Sequence, residues 1–336
     1  MRKRELGSGR LEVSALGFGA MALSGVYESV QPDEAVATLR RALDLGISMV
    51  DTADFYGKGA RTGTSEWGHN EQLVGNAIAG LRNQIVLATK GGYTFGPDGA
   101  PKPNGRPGYL DHACERSLRR LGVDVIDLYY LHRVDPLVPV EDSIGALAEL
   151  VHQGKVRHIG LSEATADEIR RGHAVHPLTA IQSEYSLLNR EPEKEVLPVC
   201  RELGIGFVPF AALGRGLLSG AIKSVTDLAP EDWRRVAAPR FRDENLTENL
   251  RLIGRLAEIA HRLSVTVPQL AVAWILHQGA DLVPLVGATR PEFVENNVGA
   301  VTLKLASREL AEIAEIFPIG AAKGARYPEE YMRSIK

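Results

Sequence analysis

Cysteine is scarce in this chain of 336 residues, because Cys114 and Cys200 are the only two. Two cysteines are too few for a disulfide framework or a cysteine-based zinc cluster, and we expect both to be reduced and no metal to be bound. Long apolar runs are lacking too, since no stretch reaches the roughly 18 apolar residues of a membrane span. The basic start at residues 2–4 has no apolar run behind it, so we expect no signal peptide and a cytoplasmic location.

An excess of charge of one sign is also missing. The chain has 39 basic and 42 acidic residues, a net charge of -3, so bulk electrostatics favours neither nucleic acid nor an acidic membrane as a partner. It is 44% hydrophobic, which is enough for a large core. A length prior of about 100–200 residues per domain suggests two domains, but single α/β barrels reach about 250 residues or more. We expect one domain over residues 1–336, and no pattern selects an oligomeric state.

Strand-like and helix-like patterns alternate along almost the whole chain. A small hairpin is predicted over residues 3–14, and helix patterns follow nearly every strand, with an extra helix from about residue 307. A long irregular span, residues 211–247, is interpreted as a functional loop. The predicted strands cover residues 16–19, 47–50, 84–90, 125–132, 157–161, 179–182, 205–210 and 282–286.

Eight strands with helical crossovers indicate parallel pairing and an α/β fold. We therefore predict a (β/α)8 TIM barrel with an N-terminal β-hairpin and extra C-terminal helices. A doubly wound open sheet is the alternative. That fold is typically accompanied by a GxGxxG sequence after its first strand, which Gly17 and Gly19, followed by Ala20, Met21 and Ala22, do not supply.

Chemically active residues end three consecutive predicted strands. Asp51 ends the second strand, Lys90 the third and His132 the fourth, while Tyr56 lies in the loop after the second. Each residue alone fits an ordinary turn, a packed ring or a solvated loop. The active site of a barrel lies at the carboxyl ends of its strands, so their joint occurrence there favours a catalytic cluster.

The motifs around these residues resemble those of a known family, the aldo-keto reductases. The resemblance covers nearly the whole chain, and its last runs are most similar to the perakine-reductase-like branch of that family. The matching runs are DTADFYG, ATKGG, DLYYLHRVD, GKVRHIGLSE, IQSEYSLLNR, PFAALGRGLLSG, PRFRDENL and LVGATRPEFVENNVGA.

The resemblance implies an NADPH-dependent reduction of aldehydes and ketones by hydride transfer. Tyr56 would donate the proton, Asp51 would hold Lys90, and His132 would orient the carbonyl oxygen. A free phenol with a pKa near 10 is a weak acid at pH 7. A cation about 4 Å away is worth up to roughly 4 kcal/mol, or about 3 pKa units, so Lys90 is expected to lower the pKa of Tyr56.

The resemblance also assigns a cofactor site around the strand ends. Arg290 favours NADPH over NADH, because a guanidinium pairs well with the 2′-phosphate. Phe293 and Asn296 depart from the polar or acidic adenine contacts of many relatives, as Phe210 and Ala211 depart from Tyr and Ser. The implied residues are Gly19, Met21 and Asp51 on the ribose side, Ser162, Glu163 and Gln182 at the carboxamide, Phe210 and Ala211 at the nicotinamide, Leu213, Gly214, Arg215, Gly216 and Leu218 at the pyrophosphate, and Gly287, Thr289, Arg290, Asn296 and Asn297 at the adenosine end.

The expected substrate pocket has aromatic walls. Twelve residues separate Gly57 from Asn70, where relatives usually have only a few, and this loop is expected to overhang Tyr56. With aromatic residues in and near it, the pocket suits a medium-sized aldehyde. Its predicted residues are Trp67, Tyr93, Phe95 and Arg133.

Two other functions use the same fold. An aldolase would employ Lys90 as a Schiff-base former, but it would not need the acid, the phenol, the imidazole and a phosphate loop together. A cofactor-sensing subunit of a channel is the second alternative. Relatives of that kind carry extra amino-terminal segments, whereas this chain begins almost at the predicted barrel.

Overall fold

The computed structural model describes residues 1–7, 11–57, 67–96, 101–230 and 232–332. In this part of the chain the strands are β1 Lys3–Leu6, β2 Leu11–Ser14, β3 Gly17–Gly19, β4 Met49–Asp51, β5 Val86–Gly91, β6 Tyr93–Phe95, β7 Pro101–Pro103, β8 Ile126–Leu131, β9 Val156–Ser162, β10 Ala180–Glu184, β11 Gly206–Phe210 and β12 Leu285–Val286. The helices are α1 Pro32–Asp44, α2 His69–Ile78, α3 Pro107–Leu121, α4 Val140–His152, α5 Ala166–Val175, α6 Val196–Leu203, α7 Trp233–Val236, α8 Asp243–Arg262, α9 Val267–Leu276, α10 Pro291–Val298, α11 Ser307–Ile316 and α12 Glu329–Met332.

A barrel of parallel strands organises the molecule. Eight strands pair in the order β11-β10-β9-β8-β5-β4-β3-β12. The two ends of this sheet meet at Phe207, whose amide donates to the carbonyl of Asp281 and whose carbonyl accepts from the amide of Val283, at 2.9 Å each. The (β/α)8 prediction is therefore confirmed, and the alternative of an open, doubly wound sheet is wrong.

The hairpin of β1 and β2 closes one end of the barrel. Its strands pair antiparallel, and Leu6, Leu11 and Val13 are buried with the side chains that fill the barrel interior. The hairpin contacts the amino-terminal end of β11, where a Cβ on Gly206 would lie only 2.4 Å from Leu6. The opposite end, formed by the carboxyl ends of the strands, remains for the functional site.

The surrounding helices follow the apolar spacing of the sequence. In α1, Pro32 occupies the first turn and Ala35, Leu39 and Ala42 are buried on one face. Helix α5 begins with a capping box in which Thr165 and Glu168 satisfy each other's amides. These helices pack their apolar faces on the outside of the barrel, in the largest core cluster.

Three of the differences between the observed and the sequence-based elements have a clear physical reason or affect the site. Strand β12 has only two residues because Pro284 has no N–H to donate to a ladder. Helix α8 begins at Asp243 rather than near residue 248, with an acidic first turn. The hairpin of β6 and β7 was not predicted, since its strands are three residues long and the second contains two prolines.

Among the described residues, no single helix has the length and apolar character to cross a membrane. Helices α8 and α9 meet at 89° and pass that criterion only when taken together.

Candidate functional site

The four predicted catalytic residues meet at the carboxyl ends of neighbouring strands. Asp51 is the last residue of β4, Lys90 lies at the end of β5, and His132 directly follows β8. These three strands are adjacent in the barrel, in the order β4, β5, β8. Tyr56 lies in the loop after β4. The amide of Asp54 in this loop donates to the carbonyl of Lys90, which holds the loop over the ends of the strands.

Lys90 connects the acid and the phenol. Its Nζ donates to Oδ1 of Asp51 at 2.5 Å, to the carbonyl oxygen of Thr52 at 2.8 Å, and to the hydroxyl of Tyr56 at 3.3 Å. The second carboxylate oxygen of Asp51 accepts from Nε2 of Gln182 at 2.8 Å. Three donor contacts use all three N–H groups of an ammonium, so the direction of the Lys90 side chain is fixed.

His132 stands next to the phenol. The centroids of its ring and the Tyr56 ring are 5.7 Å apart at an interplanar angle of 86°. Burial, together with the cations Arg133 and Lys90, lowers the pKa of His132 well below its ordinary range. The imidazole is therefore neutral at pH 7 and keeps one N–H donor.

The electrostatics of the cluster differ from the expectation in one respect. Burial raises the pKa of Tyr56, and the nearby Lys90 offsets only part of that increase. Burial alone would lower the pKa of Lys90, but Asp51 and Tyr56 outweigh it and raise that pKa above its ordinary value. The predicted direction of the lysine's influence is confirmed. The predicted net lowering of the pKa of Tyr56 is wrong, because the sequence could not show that burial outweighs the nearby cation.

Aromatic rings form one wall beside His132. Tyr93 packs on His132 with ring centroids 4.9 Å apart and on Phe55 at 4.8 Å. Trp67 contacts both Phe55, at 5.6 Å, and Phe95, at 4.8 Å. The structure thus brings together the three aromatic residues predicted for the pocket and adds Phe55. The predicted overhanging loop falls mostly on residues 58–66, outside the described residues.

Strained backbone marks the predicted cofactor loops. Glu163, Ala211 and Arg215 have φ angles of 56°, 52° and 59°, in the left-handed region. Such conformations cost about 1–3 kcal/mol in non-glycine residues and concentrate at ligand-binding sites. In the same loop Gly216 has a φ of 90°, and a Cβ there would lie 2.8 Å from the guanidinium of Arg234. The loop that follows β11 is therefore held in one specific shape.

A buried carboxylate organises the arginines of this loop. Glu184, at the end of β10, pairs with Arg215 at 2.6 Å and with Arg240 at 2.9 Å. Burial would raise the pKa of Glu184, but Arg215, Arg240 and Arg326 outweigh it and hold that pKa below its ordinary value. Glu184 and its partners Arg240 and Arg326 were missed in the sequence. A strand predicted two residues longer would have placed Glu184 at a strand end.

The other predicted cofactor residues surround the same opening. Gly19 is paired with Asp51 in the barrel, and Met21 follows it in a short 3-10 helix. Ser162 and Gln182 are buried near the ends of β9 and β10. Thr289 and Arg290 precede α10, which begins at Pro291 and includes Asn296 and the buried Asn297. Leu218 is fully buried and its amide donates to Leu213, so it supports the loop. Phe210, Leu213, Gly214 and Gly287 also lie in the loops after β11 and β12 or next to them.

One segment near this opening was not predicted. Residues 25–30 follow the 3-10 helix after β3. They contact the cofactor loop after β12 directly, and they contact Arg234, which donates to the carbonyl of Arg215 in the loop after β11. The guanidinium of Arg234 lies 4.5 Å from the Tyr27 ring centroid. The hydroxyl of Thr289 donates to the carboxylate of Glu28. These contacts join residues that are far apart in the sequence, so the sequence alone did not reveal them.

Asp54 is a second residue that the sequence did not single out. It is fully buried, and neither carboxylate oxygen has a hydrogen-bond partner within the described structure. Burial and the neighbouring Glu71 raise its pKa well above the ordinary value, against the opposite influence of Arg120 and Arg116. Burial without a hydrogen-bond partner therefore favours the neutral, protonated form of this acid.

The fold and the site define a class of protein: a (β/α)8 barrel with an acid, a lysine, a phenol and a neutral imidazole at the carboxyl ends of its strands. The family model of the Aldo/keto reductase family matches residues 15–317. The chain belongs to the aldo-keto reductase family. It is an oxidoreductase that reduces carbonyl compounds, and the family uses nicotinamide cofactors.

Known proteins resemble the chain over nearly its full length. A protein from Glycine max named "Probable aldo-keto reductase 1" is 45% identical over 96% of this chain and 91% of its own. The structure of a glycerol dehydrogenase from Gluconobacter oxydans superposes with a TM-score of 0.83, at 29% identity and 94% coverage of both chains. A thermostable aldo-keto reductase solved with epalrestat gives a TM-score of 0.73 at 26% identity, covering 94% of this chain and all of its own.

Proposed function

We propose that the chain reduces aldehydes and ketones with NADPH, and that Asp51, Tyr56, Lys90 and His132 carry the reaction. The single observation that supports this most is the position of the Lys90 ammonium, which touches the Asp51 carboxylate and the Tyr56 hydroxyl at once. A cation placed against a phenol stabilises the phenolate that remains when the proton leaves.

Each side chain then has one task. Tyr56 gives its proton to the carbonyl oxygen as negative charge develops there, and Lys90 stabilises the resulting phenolate. Asp51, held by Gln182, keeps the ammonium charged in a dry site. Neutral His132 donates its N–H to the same carbonyl oxygen and orients it. A bound reduced nicotinamide would supply the hydride.

The proposed cofactor is NADPH, and the residues present fit a phosphorylated dinucleotide. The strained loop after β11 and its arginines suit a pyrophosphate, and Arg290 is exposed directly before α10. The amino-terminal end of a helix attracts a phosphate, and a guanidinium there adds a charge-assisted contact. We therefore assign the 2′-phosphate to Thr289 and Arg290 and the carboxamide to Ser162 and Gln182.

An aldolase mechanism is disfavoured by the state of Lys90. A Schiff-base lysine needs a neutral amine, which enzymes obtain by lowering its pKa. Here the paired Asp51 raises the pKa of Lys90. A cofactor-sensing role would give no reason for a proton donor supported by a lysine and an imidazole.

The substrate is proposed to lie against the aromatic wall of Phe55, Tyr93 and Trp67, which suits a medium-sized aldehyde. We further propose that the protein belongs to the perakine-reductase-like branch and acts in the cytoplasm. The motif support for the branch comes from the last matching runs, PRFRDENL and LVGATRPEFVENNVGA.

The test is consumption of NADPH and, separately, NADH by the purified protein with aldehydes, ketones and quinones. We expect turnover of aromatic aldehydes with NADPH and a kcat/KM at least about tenfold lower with NADH, since the 2′-phosphate contacts are lost. Equal values for both cofactors would refute the NADPH assignment. No oxidation of either cofactor with any carbonyl compound would refute the proposed reaction.

A further inference from the structure

A cavity of about 390 Å³ lies near the catalytic cluster, although none of the four catalytic residues lines it. It lies at the carboxyl ends of β8 and β9, and its lining starts at Arg133, the residue that follows His132. The loop from Val134 to Pro139 and the first residue of α4, Val140, form one side of it. Glu163, Glu168 and Arg171 form the other side.

Arg133 is the unusual residue of this lining. It is only 6% exposed, and its Nη1 donates to the carbonyl oxygen of His132 at 2.5 Å and to Oγ of Ser162 at 3.1 Å. Its Nε is buried without a hydrogen-bond partner, and no carboxylate among the described residues forms an ion pair with it. Burial would lower the pKa of Arg133, but neighbouring groups that include Glu163 outweigh it without forming an ion pair. A buried guanidinium with a free donor and no contacting carboxylate can therefore still pair with an anion from outside the chain.

The acidic groups around the cavity are already engaged elsewhere. Asp135 accepts from the amides of Gly105 and Leu137. Glu163 accepts from the amide of Glu184 and from Arg326.

The two remaining charged groups face other partners. Glu168 caps α5 through Thr165, and the exposed Arg171 pairs with Glu141 and Asp167. The unused donor of the cavity therefore belongs to Arg133. The amino-terminal end of α4 lines the cavity as well, and a helix end of this kind favours negative charge.

We propose that this cavity receives a carboxylate of the substrate, held by Arg133, so that the preferred substrates are aldehydes or ketones that also carry a carboxylate. The inference rests on the proposed function and specifies its substrate class. His132 and Arg133 are consecutive in the chain, so one molecule can place its carbonyl at the first and its carboxylate at the second. In the reaction the carbonyl carbon gains the hydride, its oxygen gains the proton of Tyr56, and the carboxylate is unchanged.

The test compares two substrates with the same skeleton, 4-carboxybenzaldehyde and methyl 4-formylbenzoate, each with NADPH. We expect the parent protein to favour the acid in kcat/KM by about tenfold or more. Arg133→Met should reduce this acid-to-ester ratio by about 10- to 100-fold, mainly through KM for the acid, as expected for a lost buried charge pair. Arg170→Met removes an exposed arginine that pairs with Glu202 and does not line the cavity, and it should leave the ratio unchanged.

Arg133→Lys keeps the charge but loses the planar fork, so its ratio should fall between those of the parent and Arg133→Met. If Arg133→Met does not fold, the Arg133→Lys variant is used for the test instead. A parent ratio near one, or an equal loss for acid and ester in both variants, overturns the proposal. A raised KM for NADPH with an unchanged ratio would assign Arg133 to the cofactor and overturn it as well. Failure of the parent to turn over either the acid or the ester would instead refute the proposed reaction.

Discussion

Lys90 is the residue through which the other catalytic side chains are connected. Its pKa is raised by Asp51 and Tyr56, so it stays charged throughout the neutral range. Tyr56 is partly buried and its own pKa is raised, which means that the resting enzyme holds a protonated phenol beside a permanent cation. Proton donation from this arrangement becomes favourable when the carbonyl oxygen gains negative charge, and not before.

Because Asp54 is buried, we expect the free energy of unfolding to depend on pH. Its folded pKa lies well above the unfolded value, so the unfolded chain releases this proton at lower pH than the folded one. The favourable contribution is complete below about pH 4, the unfolded value, and is lost as the pH rises toward the folded pKa. Asp54→Asn should therefore raise the free energy of unfolding at pH 7 by about 1–4 kcal/mol.

The measurement is denaturant unfolding of the parent and of Asp54→Asn between about pH 4 and pH 8. The two curves should converge at the acidic end. A difference that is the same at both ends of this range would show that the acid is not protonated by burial.

The sequence could identify some of these residues and not others. Asp51, Lys90 and His132 could be identified from the sequence because a strand pattern shows where the strand ends. Asp54 and Glu184 could not be identified from the sequence, because their importance depends on burial and on arginines from distant parts of the chain. The roles of the four catalytic residues and of the cofactor residues stay predictions.

At the scale of elements, residues 25–30 contact the cofactor loop after β12 through Glu28 and contact α7 through Tyr27. Glu28 accepts from Thr289, which we assign to the 2′-phosphate, so its carboxylate competes with that phosphate for the same hydroxyl. Glu28→Gln should tighten NADPH binding by about three- to fivefold, since the repulsion of an exposed charge is screened and small. NADH has no 2′-phosphate and should change less than about twofold.

Fluorescence titration of both cofactors measures this effect. The matched control is Asp33→Asn, which removes an exposed negative charge from the first turn of α1 and should change neither affinity appreciably. Weaker binding of NADPH in Glu28→Gln would mean that the carboxylate stabilises the bound cofactor loops instead of competing with the phosphate.

At the scale of the whole molecule, the structural hairpin and the functional site lie at opposite ends of the barrel. The amino-terminal hairpin fills one end, and the site occupies the other. The alternation of strands and helices made this architecture predictable, because each period of the pattern corresponds to one repeating unit. The hairpin of β6 and β7 was not predictable, since prolines and short length hide its strands. The last strand was predicted over residues 282–286, and only its shortening to two residues was not. That residues 1–336 form one domain stays a prediction.

The central claim is that Tyr56 supplies the proton, and single-substitution kinetics test it most directly. Tyr56→Phe should lower kcat for an aromatic aldehyde by about 10²–10⁴-fold and leave the Kd of NADPH near that of the parent. Tyr129→Phe, which removes the hydroxyl of a buried tyrosine that has no hydrogen-bond partner in the described structure, is the control and should retain parental kcat. Parental turnover in Tyr56→Phe would contradict the account.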